Sequence, residues 1–136
     1  MKTLVIFYSY TGHTKEIAQQ LAAGKSYEIA EIRDVNRPGF IKAYTAGCFN
    51  AVRGKSWSIQ PLGLELEDYE RFILLTPVWA GHTPPAVHAV LEILPEGKTV
   101  AVTMVSSSGK SSCKKYVETV IQAKGGVLES FENIKA

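Results

Sequence analysis

The order of segments in this sequence predicts a parallel α/β sandwich: five strands alternating with four helices in one domain. Three observations predict it. Five short apolar runs rich in strand formers recur along the chain, and each of the first four is followed by a stretch with helical spacing. The first run, Thr3 to Tyr8, is apolar on both faces, as a strand at the buried centre of a parallel sheet requires. Glycine and proline are scattered, so no linker divides the 136 residues, and residues 1–136 are read as a single domain. With 46% apolar and 21% charged residues, the composition excludes a disordered chain, a collagen and a disulfide scaffold.

The elements run in order along the chain. After the first strand comes a polar turn, Ser9 to His13. A helix is expected from Thr14 to Ala23, with Ile17, Ala18, Leu21 and Ala22 on one stripe and Gly24 as its C-terminal cap. Tyr27 to Arg33 is the second strand. Phe40, Tyr44, Ala51 and Val52 mark a second helix over Phe40 to Arg53. Residues 54–69 form a long surface connection with one tryptophan. Arg71 to Leu75 is the third strand and Pro77 to Thr83 a loop. Pro84 and Pro85 fit the first positions of a helix that continues through Ala86 to Leu94. Thr99 to Val105 is the fourth strand and Ser106 to Gly109 a loop of small residues. Ser111 to Lys124 is the fourth helix, ended by Gly125-Gly126, and Val127 to Phe131 is the fifth strand.

Several function classes are excluded. The net charge is +2, no block of five like charges occurs, and no basic face is interleaved with aromatics, so nucleic acid is not an expected partner. The apolar run Leu4 to Phe7 is far short of the ~20 residues of a membrane span, and after Met1-Lys2-Thr3 it does not make a signal peptide. Cys48 and Cys113 form no CxxC and are expected as reduced thiols in the cytoplasm. His13, His82 and His88 lack metal-ligand spacing, so no metal site is expected. His88 is expected on a helix surface. No base lies near Thr11 or the serines in sequence, so no hydrolase triad is expected and no side chain is assigned as a catalytic acid or base.

In an open α/β sheet, ligands sit outside the carboxyl ends of the strands, and three loops there carry chemistry. Ser9-Tyr10-Thr11-Gly12-His13-Thr14 holds hydroxyls and one glycine and opens a helix. Helix N–H groups, the dipole and those hydroxyls suit a monophosphate. Helix capping alone would also explain the serine and threonines. The loop has neither the Walker A nor the GxGxxG pattern, so a nucleoside triphosphate or classical dinucleotide site is not expected there. Pro77-Val78-Trp79-Ala80-Gly81-His82 offers an indole and backbone N–H groups of Ala80 to His82 to a planar ring, or else Trp79 covers the end of the sheet as core. Ser106-Ser107-Ser108-Gly109 leaves room for something flat close to the backbone, or caps a helix.

The first of these loops resembles the phosphate loop of flavodoxins, in which a serine or threonine, any residue, then Thr-Gly, any residue and Thr come after the first strand. Leu74 to Val87 resembles the second flavin loop of flavodoxin-like proteins, and Val105 to Lys110 the third. The likeness spans nearly the whole chain in the right order. It implies a flavodoxin-like three-layer sandwich of the short-chain form, with strand order 2-1-3-4-5 and FMN as cofactor. Ser9, Tyr10, Thr11, Gly12, His13 and Thr14 would hold the FMN phosphate. Pro77, Val78, Trp79, Ala80, Gly81 and His82 would hold the isoalloxazine ring, and Ser106, Ser107, Ser108 and Gly109 would close its other side.

Two departures bear on function. Flavodoxins that carry electrons are usually acidic, whereas Thr76 to His88 contains no acid and Ser106 to Lys115 contains Lys110, Lys114 and Lys115. A positive rim implies a less negative second reduction potential than an acidic flavodoxin has. The third loop also lacks the aromatic that often covers the flavin, which would leave one ring face open unless Tyr8, Tyr10, Phe49 or Trp57 folds over it. The leading expectation is an electron carrier cycling FMN through its three redox states. Its partners would be redox proteins or a small acceptor such as a quinone, and it would be a monomer or weak homodimer. The alternatives are an FMN-dependent NAD(P)H or quinone oxidoreductase and a flavin-free binding module of the same fold.

Overall fold

The computed structural model describes residues 2–37 and 39–136. Met1 and Pro38 lie outside the described residues, as do the side chains of Phe40 and Tyr44, two of the positions that mark the second helix in the sequence. Five parallel strands form one sheet in the order β2-β1-β3-β4-β5: β1 Thr3–Phe7, β2 Glu28–Glu31, β3 Arg71–Pro77, β4 Thr99–Ser106 and β5 Val127–Lys135. The expected strand order and the flavodoxin-like sandwich are both observed.

The pleat divides the core. Val5, Phe7, Ile73, Leu75 and Ala101 point to one face, where α1 (His13–Lys25) packs with Ala18 and Ala22. Leu4, Ile6, Phe72, Leu74, Val100, Val102 and Met104 point to the other. Three helices cover that second face: α2 (residues 40–52), α3 (Pro85–Ile93) and α4 (Lys114–Ala123). α2 is not uniform: Phe40–Lys42 and Cys48–Val52 are α-helical around a π-helical turn, Ala43–Gly47.

Several boundaries move for local reasons. α1 continues past Gly24 to Lys25, and the left-handed residue that ends it is Ser26, with φ 57°. Tyr27 packs against the α1 core cluster and its N–H closes on the Ala22 carbonyl at 3.0 Å. That closure fixes where the helix stops, and Gly24 is not its cap. α4 begins at Lys114, not Ser111, because the preceding residues are held in the loop. The Ser111 hydroxyl donates to Asn133 Oδ1 (2.7 Å) and the Ser112 N–H to the Gly81 carbonyl (2.6 Å). β5 runs to Lys135, past the expected end at Phe131. A register shift opposite Val100/Ala101 and exposed polar residues on this edge strand conceal its alternation. His88, expected on a surface, is 2% exposed. No helix among the described residues is long and apolar enough to cross a membrane. Cys48 and Cys113 are unpaired, and burial raises both thiols above their ordinary pKa.

Candidate functional site

The loops after β1, β3 and β4 meet at the carboxyl edge of the sheet, and each is built differently. In the first, Ser9 and Tyr10 are half-buried, Thr11, Gly12 and His13 are exposed, and Thr14 is buried. Gly12 is the N-cap of α1 with φ 104°, a conformation that disfavours any side chain. Its N–H donates to Ser9 Oγ at 3.0 Å, so Ser9 spends its oxygen on shaping the turn. No side chain caps α1, and the first N–H to close back is that of Glu16, onto the Gly12 carbonyl. The first turn therefore presents N–H groups and the positive dipole end at an exposed glycine.

The second loop is a tight turn. Trp79 and His82 exchange both backbone hydrogen bonds, at 2.8 and 2.9 Å. Ala80 and Gly81 between them have φ 51° and 84°, the pair of positive angles that defines a type I′ turn. Ala80 in a left-handed conformation costs roughly 1 kcal/mol. The His82 N–H, expected among the ring-facing donors, is consumed by Trp79. The indole of Trp79 is 8% exposed and stands edge-on to Tyr8 (5.9 Å), Tyr10 (5.8 Å) and Trp57 (6.0 Å). Gly47, in the π-helical turn of α2, makes room for it, since a Cβ there would lie 2.6 Å from the ring. Trp79 thus covers the sheet end as core, and the half-buried aromatics beside it are Tyr10 and Trp57.

In the third loop Ser106 Oγ accepts the Gly109 N–H (3.0 Å), Ser108 Oγ accepts the Lys110 N–H (3.2 Å), and the Ser106 carbonyl accepts the Ala136 N–H (2.8 Å). Ser107 is exposed, as is Ser108. Pro77 ends β3 half-buried, and Val78 packs against the larger core cluster.

Two groups that sequence reasoning missed hold this edge together. Asp34 is 8% exposed and accepts hydrogen bonds from Tyr8 Oη (2.7 Å) and Trp57 Nε1 (2.8 Å). Burial, and next the bond to Asp34, pushes the Tyr8 phenol well above its usual pKa. Asp34 also forms an isolated bridge with Ile59. One carboxylate thereby latches the connection of residues 54–69 onto the sheet. His88 is the second group: its ring lies 3.2 Å from Thr83 Oγ1 and 3.3 Å from the Ala51 carbonyl, tying the end of α2 to the residue after His82. The signal for His88 was available, because α3 is apolar almost all round. Nothing local marks Asp34, since its partners lie 26 and 23 residues away.

Among the described residues no cluster of histidine, cysteine and acidic side chains is arranged to hold a metal ion. The carboxyl edge instead carries an uncapped helix start at Gly12 beside a cluster of aromatic rings.

The fold matches a flavoprotein from Lactobacillus acidophilus solved in complex with FMN, with TM-score 0.74 at 19% identity over 96% of this chain and 91% of that one. It matches a proposed flavoprotein from Bacteroides eggerthii with TM-score 0.79 at 18% identity, covering 96% and 86%. It matches oxidised flavodoxin 1 from Bacillus cereus with TM-score 0.56 at 18% identity, covering 99% and 87%. No match was found among curated proteins. The family model of NADPH-dependent FMN reductases matches residues 2–128. The chain belongs to the NADPH-dependent FMN reductase family, flavodoxin-like in fold and with FMN as its cofactor.

Proposed function

We propose that this chain is an FMN-dependent oxidoreductase that accepts a hydride from a nicotinamide dinucleotide. The family match across residues 2–128 carries the reading. The residues present fit FMN: a Cβ on Gly12 would meet nothing within 4 Å, so a phosphate can approach the uncapped start of α1 closely. Ser9, Tyr10, Thr11, Gly12, His13 and Thr14 would hold that phosphate. Pro77 to His82 and Ser106 to Gly109 would flank the ring. FMN supplies a ring that takes up a hydride and releases electrons to an acceptor.

The chain's own contribution is binding, orientation and charge. Trp79, locked as core by three aromatic neighbours, fixes the half-buried Tyr10 and Trp57, which would offer the ring a wall. Ser106 to Gly109 carries no side chain large enough to cover a ring, and the Ser106 and Ser108 hydroxyls accept N–H groups of the loop itself. A donor or acceptor would therefore find one face accessible. Lys110, Lys114 and Lys115 are exposed beside it and favour an anionic donor.

A second reading, an electron carrier, is favoured by the flavodoxin-type phosphate loop and by the fold shared with flavodoxins. Titrating the protein with FMN and then adding NADPH without oxygen separates the two. Tight FMN binding with NADPH-dependent bleaching of the flavin absorbance is expected. Tight binding without bleaching would overturn the reductase in favour of the carrier, and absence of FMN binding would overturn both.

A further inference from the structure

α2 is sorted inside out. Its buried row is Ala43, Gly47 and Ala51, two alanines and a glycine. Its outer row is Ile41, Thr45, Phe49 and Val52, and Ile41 is 78%, Phe49 59% and Val52 51% exposed. A surface helix ordinarily turns its large apolar side chains to the core and its polar ones to water. The small inner row has a cause in the fold, since a Cβ on Gly47 would lie 2.6 Å from the Trp79 ring. Packing among the described residues gives the outer row no such cause. Single exposed apolar residues are ordinary, but three on one helix face form a patch that calls for something to cover it.

The charge around the patch narrows what can cover it. Between Val35 and Leu64 the sequence has Arg37, Lys42, Arg53 and Lys55 and no acid, in a chain whose net charge is only +2. All four cations are exposed. Lys42 follows Ile41, and the Arg53 guanidinium lies 5.2 Å from the centre of the Phe49 ring, so cations stand at the margin of the apolar row. Of the acids that flank this stretch, Asp34 is buried and bonded to Tyr8 and Trp57. Glu67 stands 3.9 Å from Lys98, at the amino end of the sheet. Past the other end of α2, the Tyr116 hydroxyl reaches the Gly54 carbonyl at 3.4 Å, and the residues before that tyrosine, Lys114 and Lys115, are exposed. α4 thus adds two more cations and no acid at that end.

We propose that the outer face of α2 docks on an anionic lipid surface. Helices that lie on membranes combine an apolar face with lysines and arginines beside it, and each cation near an anionic surface adds to the attraction. A protein partner fits less well. Ile41 to Val52 spans about 16 Å at 1.5 Å per residue, and a helix is about 10 Å wide. That footprint of roughly 160 Å² is about a fifth of the ~800 Å² that each partner gives to a standard protein interface. A second copy would also set Lys42 and Arg53 against the same cations. A convex apolar ridge edged by cations can instead sink Ile41, Phe49 and Val52 into the headgroup boundary while its ammonium and guanidinium groups meet lipid phosphates. Docking of this kind requires nothing of the flavin site.

The test is co-sedimentation of the full chain with vesicles of phosphatidylcholine alone and of phosphatidylcholine mixed with phosphatidylglycerol. The proteins are the wild type, Lys42→Gln with Arg53→Gln, Ile41→Ser with Phe49→Ser and, as a control, Ile93→Ser at the exposed end of α3. The wild type should bind the phosphatidylglycerol vesicles, less so at high salt, and not those of phosphatidylcholine alone. Losing the two cations should weaken binding about twenty- to thirtyfold, at about fivefold per cation. The Ile41 and Phe49 pair should weaken it about tenfold or more, and Ile93→Ser should leave it unchanged. Circular dichroism and urea midpoints should match the wild type throughout, because every substituted side chain is exposed. No binding to phosphatidylglycerol vesicles, or equal binding to both kinds, overturns the proposal. So does a loss in the cation pair with none in the Ile41 and Phe49 pair, which would leave a charge contact without insertion. A chain that ignores vesicles but forms a dimer in sedimentation velocity, dissolved by Ile41→Ser with Phe49→Ser, would assign the face to a second copy instead.

Discussion

The loops after β1 and β4 share a local design and differ in the segment that comes next. Each has a serine, two residues past β1 or closing β4, whose Oγ accepts the N–H of a glycine three residues on, both at 3.0 Å, and both glycines have positive φ. After Gly12 the helix starts at once and without a capping side chain. After Gly109 four residues intervene, and the loop's polar groups are taken by Lys110, Asn133 and Ala136. The first loop keeps its donors for something else, and the ring end of the edge satisfies its own. The same Ser-x-x-Gly turn becomes an anion site only where a helix N-terminus stands directly behind it.

The contrast is tested most sharply by ligand affinity. Thr11→Val with Thr14→Val should weaken FMN by about 2 to 4 kcal/mol, from two lost hydrogen bonds to a charged phosphate. Valine keeps the shape of threonine, so the buried Thr14 site stays filled. Riboflavin, which lacks the phosphate, should bind as before. Ser106→Ala with Ser108→Ala should leave the FMN-to-riboflavin ratio unchanged. An equal loss for both ligands in the threonine pair would break the comparison.

At the ring end, substitutions should move stability instead. Asp34→Ala removes the acceptor of the Tyr8 hydroxyl, which is 1% exposed, and of the Trp57 indole N–H. A cost of about 2 to 3 kcal/mol is expected, since a buried donor is left without a partner. Urea unfolding should show it, together with a change in tryptophan emission as Trp57 loses its anchor. Unfolding and emission both unchanged would mean that the connection of residues 54–69 is held by something else.

How far these features were legible in the sequence depends on how local their causes are. The strands, the helices and the three loops rest on periodicity and turn chemistry within a few residues of each other, while the strand order was implied by the resemblance to flavodoxins. The Asp34 latch depends on partners in other elements, so its neighbours could not tell it from a surface residue, whereas His88 sits in a helix apolar almost all round, which signals its burial but not the groups it ties together. Nothing local marks Gly47 either; the Trp79 ring, 2.6 Å from where a Cβ would stand, explains why a glycine is there. The type I′ turn was hidden because its first central residue is Ala80, where a glycine or asparagine would have announced it.

His88 also gives the ring end a pH dependence. Burial lowers its pKa, opposed by its bond to the Ala51 carbonyl and assisted by the nearby His82. The unfolded chain, with histidine at about 6.5, then takes up a proton that the folded chain refuses. Stability contributed by neutral His88 is complete above about pH 6.5 and is lost as the pH falls below that value, no more steeply than about 1.4 kcal/mol per pH unit. His88→Gln should lower stability at neutral pH and flatten the slope that this group imposes. A slope identical in wild type and variant would assign the pH dependence to other groups.

The smallest effect concerns the basic rim. Reduction places negative charge on the flavin, and a cation about 8 Å away in water stabilises it by roughly 0.5 kcal/mol, on the order of 20 mV, before salt screening. Lys110, Lys114 and Lys115 are exposed, so each is screened and their sum is modest. Replacing all three by glutamine should make the second reduction potential more negative by a few tens of mV at low salt, and the difference should shrink at high salt. The same triple variant should leave the FMN-to-riboflavin ratio unchanged, because the phosphate is held at the other loop. If it instead weakened FMN selectively, these lysines would be reaching the phosphate, and the division of the edge into an open end and a self-satisfied end would be wrong.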